Sequence, residues 1–318
     1  MVCLLLPLQW GGTTRPWSSA AVIACLTLSG IFTILFIVNE LWMSDRALMV
    51  PRLLRQKTLA LQALYTLFNS SCFFILVYYL PIYFQSIKNA SASSSGVRNL
   101  PYILAISLFS IVSGIFITFT GHYSSLMLAG SALTTLGAGL IYTLTASSPS
   151  AEWIGYQVLG GIGTGVSLQI PIIVAQGTSR PEDLSSATAI ILFFQLLAGA
   201  VFISVAQALF ANELLASVAN NVVGVEPGFV VATGATELRE VFAPELLPGI
   251  LRSYMSGLKD AYTLGIALGG VACLIALGVV VRDNRNLKME GMVKETGKKE
   301  ADSDLREREK VKEEVVVV

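Results

Sequence analysis

Seven stretches of this sequence are each about twenty residues long, apolar and almost free of charge, and they leave few folds open to it. They run at roughly 21–39, 61–84, 100–120, 126–146, 154–176, 187–209 and 262–281. A hydrocarbon core about 30 Å thick is crossed by about 20 helical residues, and in lipid every backbone N–H and C=O must be bonded within its own segment. The expected fold is therefore an all-α integral membrane protein of about seven spans. Composition agrees: 54% of the 318 residues are hydrophobic and 13% are charged, against about 25% charged in soluble domains.

The charges orient the spans. Between the first two, "SDRALMVPRLLRQK" carries Arg46, Arg52, Arg55 and Lys57, the mark of a cytoplasmic loop. Counting crossings from there places 85–99, 147–153 and 210–261 outside and everything after Arg282 inside, where Arg285 and Lys288 add positive charge. Segment 210–261 reads as an ordered, partly helical external cap: Pro227, Pro244 and Pro248 interrupt it, and Glu237, Arg239, Glu240 and Glu245 would each cost a few kcal/mol at the bilayer centre. The tail 283–318 alternates acids and bases and reads as a disordered cytoplasmic segment. Asn89-Ala90-Ser91 is an N-glycosylation acceptor on the external side, whereas Asn69-Ser70-Ser71 falls inside a span. "MVCLLLPLQW" is too short to span and lacks a basic leader, and it reads as the end of a helix that begins before this sequence does.

Little here speaks for enzyme chemistry. His122 is the single histidine, and Cys3, Cys25, Cys72 and Cys273 lie in apolar surroundings without a C-x-x-C pair, so neither metal nor cofactor is expected. No basic groove suggests nucleic acid. The spans carry no Asp, Glu, Lys or Arg well inside them; Glu40 and Glu152 lie at their ends. They offer amides and phenols instead, among them Asn69, Gln157, Gln169, Gln176, Gln195, Gln207, Tyr78 and Tyr79. Such groups either bond helix to helix or line a substrate path, and both readings stay open. In "GYQVLGGIGTGVSLQIPIIVAQ" (155–176) the glycines suggest a dinucleotide loop, but no strand precedes them and no acid follows at ribose spacing. Gly161 and Gly165 instead form a G-x-x-x-G helix-packing face, Pro171 is a candidate kink, and Gly165, Gln169 and Gln176 fall on one face of a continuous helix.

Four stretches together resemble the major facilitator superfamily, and within it the fourteen-span drug:proton antiporters of filamentous fungi. They are "LQWGGTTRPWSS" (8–19), "FFILVYYLPIYFQSIKNASASSSGVRNLPYIL" (73–104), the glycine-rich stretch above, and "TAIILFFQLLAGAVFISVAQALF" (188–210). The resemblance reaches to about residue 282. It implies the end of one linker helix, a second linker span and a cytoplasmic loop in 1–59, then a C-terminal six-helix transporter bundle in 60–282. It implies a separate N-terminal half as partner, which in this family carries the carboxylates linked to protons. It further implies secondary active efflux of small organic compounds by proton antiport, inactive without that half, in the plasma membrane or alternatively the vacuolar membrane. A non-transporting membrane subunit or regulator is the other function considered. By the same resemblance the spans at 61–84 and 154–176 line the cavity, making Tyr78, Tyr79, Gln85, Gly165, Gln169 and Gln176 cavity or gate candidates, with Gln195 among them.

Overall fold

The computed structural model describes residues 1–12, 15–43 and 49–282. Arg46 and the tail 283–318 lie outside the described residues. A hairpin comes first, of α1 (Val2–Trp10) and α2 (Ala20–Met43). Gly12 turns it with φ +77°, and a side chain there would run into Asn212. The Arg15 guanidinium sits 5.4 Å over the Trp10 ring. α2 buries only Val22, Ser29 and Glu40; a helix apolar all round with so little cover suits lipid.

After α3 (Pro51–Leu54), the long α4 (Lys57–Ser86) forms the centre. Around it stand α6 (Leu100–Thr120), α7 (Ser124–Tyr142), α8 (Ser150–Leu168), α9 (Ile170–Thr178), α10 (Leu184–Asn221) and α13 (Leu247–Arg282). The short α5 (Ala92–Arg98) leads into α6. Among the described residues, seven helical segments can cross a membrane by length and hydropathy: 20–43, 57–86, 92–120, 124–142, 150–178, 181–221 and 247–282. α4 packs against α7, α8, α9, α10 and α13, and it buries Tyr65, Tyr79 and Tyr83 completely. A buried phenol needs a hydrogen-bond partner. Tyr65 donates to the Met127 carbonyl at 3.3 Å, Tyr79 to Gln207 Oε1 at 3.2 Å and Tyr83 to the Thr145 carbonyl at 2.8 Å.

Two glycine faces let α8 wedge between α6 and α7. A Cβ on Gly161 would lie 2.6 Å from the Tyr102 carbonyl, and one on Gly165 would lie 2.6 Å from that of Ile106, both on α6. On the other side, Gly160 meets Gly137, and Gly163 meets Gly130 and Thr134, on α7. Tyr102 of α6 meets Thr164 of α8 at 3.1 Å in the same seam, and Asn69 of α4 donates to Ser167 Oγ of α8 at 3.2 Å.

The stretch 154–176 is not one continuous helix. It breaks at Gln169, with Pro171 in the first turn of α9. Lacking an N–H, Pro171 cannot bond the Ser167 carbonyl. Ser110 and Ser113 of α6 donate to the Gly165 and Val166 carbonyls at 3.1 and 2.7 Å, bracing the turn before the break.

α10 runs on to Asn221 and α13 begins at Leu247, so within the segment 210–261 expected outside the membrane only 222–246 lies between the two long helices, both of which are longer than a bilayer core requires. Residues 222–246 form a cap containing α11 (Pro227–Ala232) and α12 (Leu238–Val241). Val230, Leu238 and Phe242 are buried in the main core. Arg239 donates to the Ser86 and Ile87 carbonyls at 3.2 and 3.3 Å, holding the cap to the end of α4. At this end Lys88 donates to the Ala146 and Ser148 carbonyls. Desolvation, and then the nearby Arg98, hold its ammonium below the usual lysine range. At the opposite end Arg52 forks onto Asp183, at 2.7 and 3.2 Å, joining α3 to the start of α10.

Candidate substrate path

α9 follows the break with Pro171 in its first turn, and the turn at Pro181–Asp183 sends the chain back as α10. Between the two helices lies an open cleft of about 520 Å³ lined by Gln176, Leu184, Ser185, Thr188, Ala189 and Leu192. Gln176 Nε2 donates to Thr188 Oγ1 at 3.3 Å, and Thr188 donates to the Leu184 carbonyl at 2.8 Å. The amide is thereby oriented. Every lining side chain is uncharged, so the cleft suits an apolar body bearing a hydroxyl, carbonyl or amide. An anion would find no fixed positive charge among these six side chains.

The residues singled out from sequence are dispersed. Gln176 is in the cleft, and Gln195 is half-buried about two turns beyond Thr188, on the α10 stripe that includes Ser185 and Leu192. Gly165 is buried against Ile106, with no room to line a cavity there. Gln169, at the break, and Gln176 are both exposed. The single face expected for Gly165, Gln169 and Gln176 is therefore absent, because the helix that would carry it is interrupted. Tyr79 is in the core, whereas Tyr78 is 47% exposed and meets Tyr79 edge-on at 5.2 Å. Gln85 donates to Ser95 Oγ at 2.9 Å, tying α4 to α5. Asn89 is exposed with φ +53°, and Ser91 of the same triplet caps α5. Sequence reasoning passed over Ser185 and Thr188; their spacing in "LSSATAIIL" puts both hydroxyls on one stripe, the signal that was available. Among the described residues, no group of three or more His, Cys, Asp or Glu is placed to hold a metal ion.

No protein-family model matches the chain. Curated relatives do. The MFS-type transporter astH of Aspergillus oryzae is 40% identical over 272 residues, 86% of this chain and 48% of the relative. The chain belongs to the major facilitator superfamily. The MFS-type efflux pump MFS1 of Trichophyton rubrum is 39% identical over 290 residues, 91% of this chain and 54% of the relative. The efflux pump roqT of Penicillium rubens is 39% identical over 274 residues, 86% and 51% respectively. This facilitator chain thus spans about half the length of the curated relatives it matches, corresponding to their C-terminal half. Seven spanning helices in a family of membrane transporters make it an integral, multi-pass membrane protein.

Proposed function

We propose that this bundle is the C-terminal part of a secondary transporter of the fourteen-span kind, which exports small, mostly apolar organic compounds in exchange for protons. The observation that carries the reading is the uncharged cleft between α9 and α10, with the Gln176 amide held on Thr188 beside a helix break. The break at Gln169 lies about two turns before Gln176, and discontinuous helices are where secondary transporters place binding or moving segments. Several relatives are named as efflux pumps, which favours export over uptake. Gln195, Tyr78 and Gln169 extend the path along exposed or half-buried surfaces. Gln85 and Tyr79 position the end of α4, and Gly161 and Gly165 keep α8 against α6. The basic α3 end faces the cytoplasm and the cap faces outward with Asn89 open to glycosylation, in the plasma membrane.

Alternating access requires two bundles rocking about one site. The chain alone should therefore confer no drug tolerance on a yeast stripped of its own efflux pumps, while co-expression with the N-terminal half of a related pump should raise tolerance. Tolerance from the chain by itself would overturn the two-bundle reading. No tolerance in either case, with both halves inserted and associated, would favour a non-transporting membrane subunit.

A further inference from the structure

Two alanines tie the cleft between α9 and α10 to a segment outside it. Leu53 of α3, fully buried, shares one apolar cluster with Leu59 of α4, Ala175 of α9 and Ala187 and Ile190 of α10. The residues that follow those alanines, Gln176 and Thr188, are turned about 100° further round their helices and line the cleft. α3 is also bonded to α10 by charge. Asp183 is 7% exposed, and its Oδ1 and Oδ2 accept from Arg52 Nη2 and Nη1 at 2.7 and 3.2 Å. A carboxylate at a helix N-cap ordinarily accepts an N–H of its own helix. Asp183 stands at the N-cap of α10 yet makes no such bond; its oxygens are given to α3 instead.

We propose that Arg52 is a positioning residue for the cleft: its fork on Asp183 fixes the start of α10 against α3 and α9, and so sets the opening through which a ligand reaches Gln176 and Thr188. Apolar contact at Leu53 holds the elements together without fixing direction. Two parallel N–H···O bonds fix both direction and distance. Loss of the guanidinium leaves the carboxylate buried and unpaired, and it regains water only if the start of α10 moves off α3, which widens the cleft. Segment 49–55 is therefore a strap that governs access to the cleft without touching what enters it. This deepens the reading of the cleft as a substrate path and rests on that reading.

With the four native cysteines replaced, Ala189→Cys, exposed on the cleft wall, reports access through its rate of reaction with a soluble maleimide on the full chain in nanodiscs. Arg52→Gln and Asp183→Asn are each expected to raise that rate at least about threefold, and the double variant no further than the faster single one. An effect of charge on the thiol alone would act in opposite directions in the two single variants, since one removes a positive and the other a negative charge. The rate at Val223→Cys, beyond the far end of α10, should not change. Unaltered rates at Ala189→Cys, opposite changes in the two single variants, increases that multiply in the double variant, or equal acceleration at Val223→Cys would each overturn the proposal. The rates are read without transport, so such a result leaves the transport reading standing. Absence of export from two associated halves, with the threefold effect intact, would count against that reading and leave the strap in place.

Discussion

At α8 the atom that matters is one the glycines lack. Gly137 of α7 lies against the backbone of Gly160, so a single methyl there meets main chain that cannot rotate away. Overpacking of this kind costs about 1–3 kcal/mol. Gly137→Ala should therefore lower the thermal midpoint of the detergent-solubilised chain by several degrees. Gly139→Ala, on the same helix with nothing within 4 Å of the added carbon, should leave it unchanged or slightly raised. Equal midpoints for the two variants would show that α7 and α8 do not meet as described.

Among elements, the junction of α8 and α9 is the one built to bend. Pro171 leaves the Ser167 carbonyl without its helical donor, and α6 braces the two carbonyls just before it, Ser110 donating to that of Gly165 and Ser113 to that of Val166. Hydrogen bonds between membrane helices contribute about 0.6 to 2 kcal/mol each. Ser110→Ala/Ser113→Ala should then speed amide exchange around the break several-fold while exchange in α4 stays as it was. If exchange at 166–172 does not change, the hydroxyls are not what braces the break.

Across the molecule, helix order sets sidedness. From the exposed turn at His122 to Val223, 93% exposed after α10, the chain crosses three times: α7, the α8–α9 pair and α10. An odd number places the two positions on opposite faces of the membrane. With the native cysteines replaced, Val223→Cys should react with an impermeant maleimide on intact cells, and His122→Cys only after permeabilisation. Labelling of both from one side would break the seven-span topology, and the reverse pattern would invert the proposed orientation.

The spans, their number and the cap over the bundle were legible in the sequence because the bilayer acts on each segment separately: a long apolar stretch must become a helix whatever its neighbours do. The spacing of Gly161 and Gly165 likewise announced close packing. That their neighbour is α6, and that Gly160 and Gly163 serve α7, depends on which helices lie on either side. Hydropathy did not show how far the last two long helices extend, because α10 and α13 continue past the apolar zone on contacts with each other, with Ser217 donating to Ser253 at 3.0 Å and Gly257 lying against Phe210. The face expected to join Gly165 to Gln176 failed at Gln169, since a break resets the angular register of everything after it. Sequence alone determined what each segment had to be, because lipid solvation is local. Only the tertiary structure decided which side chains meet, because the cleft that joins Gln176 to Thr188 exists only once two helices are placed side by side.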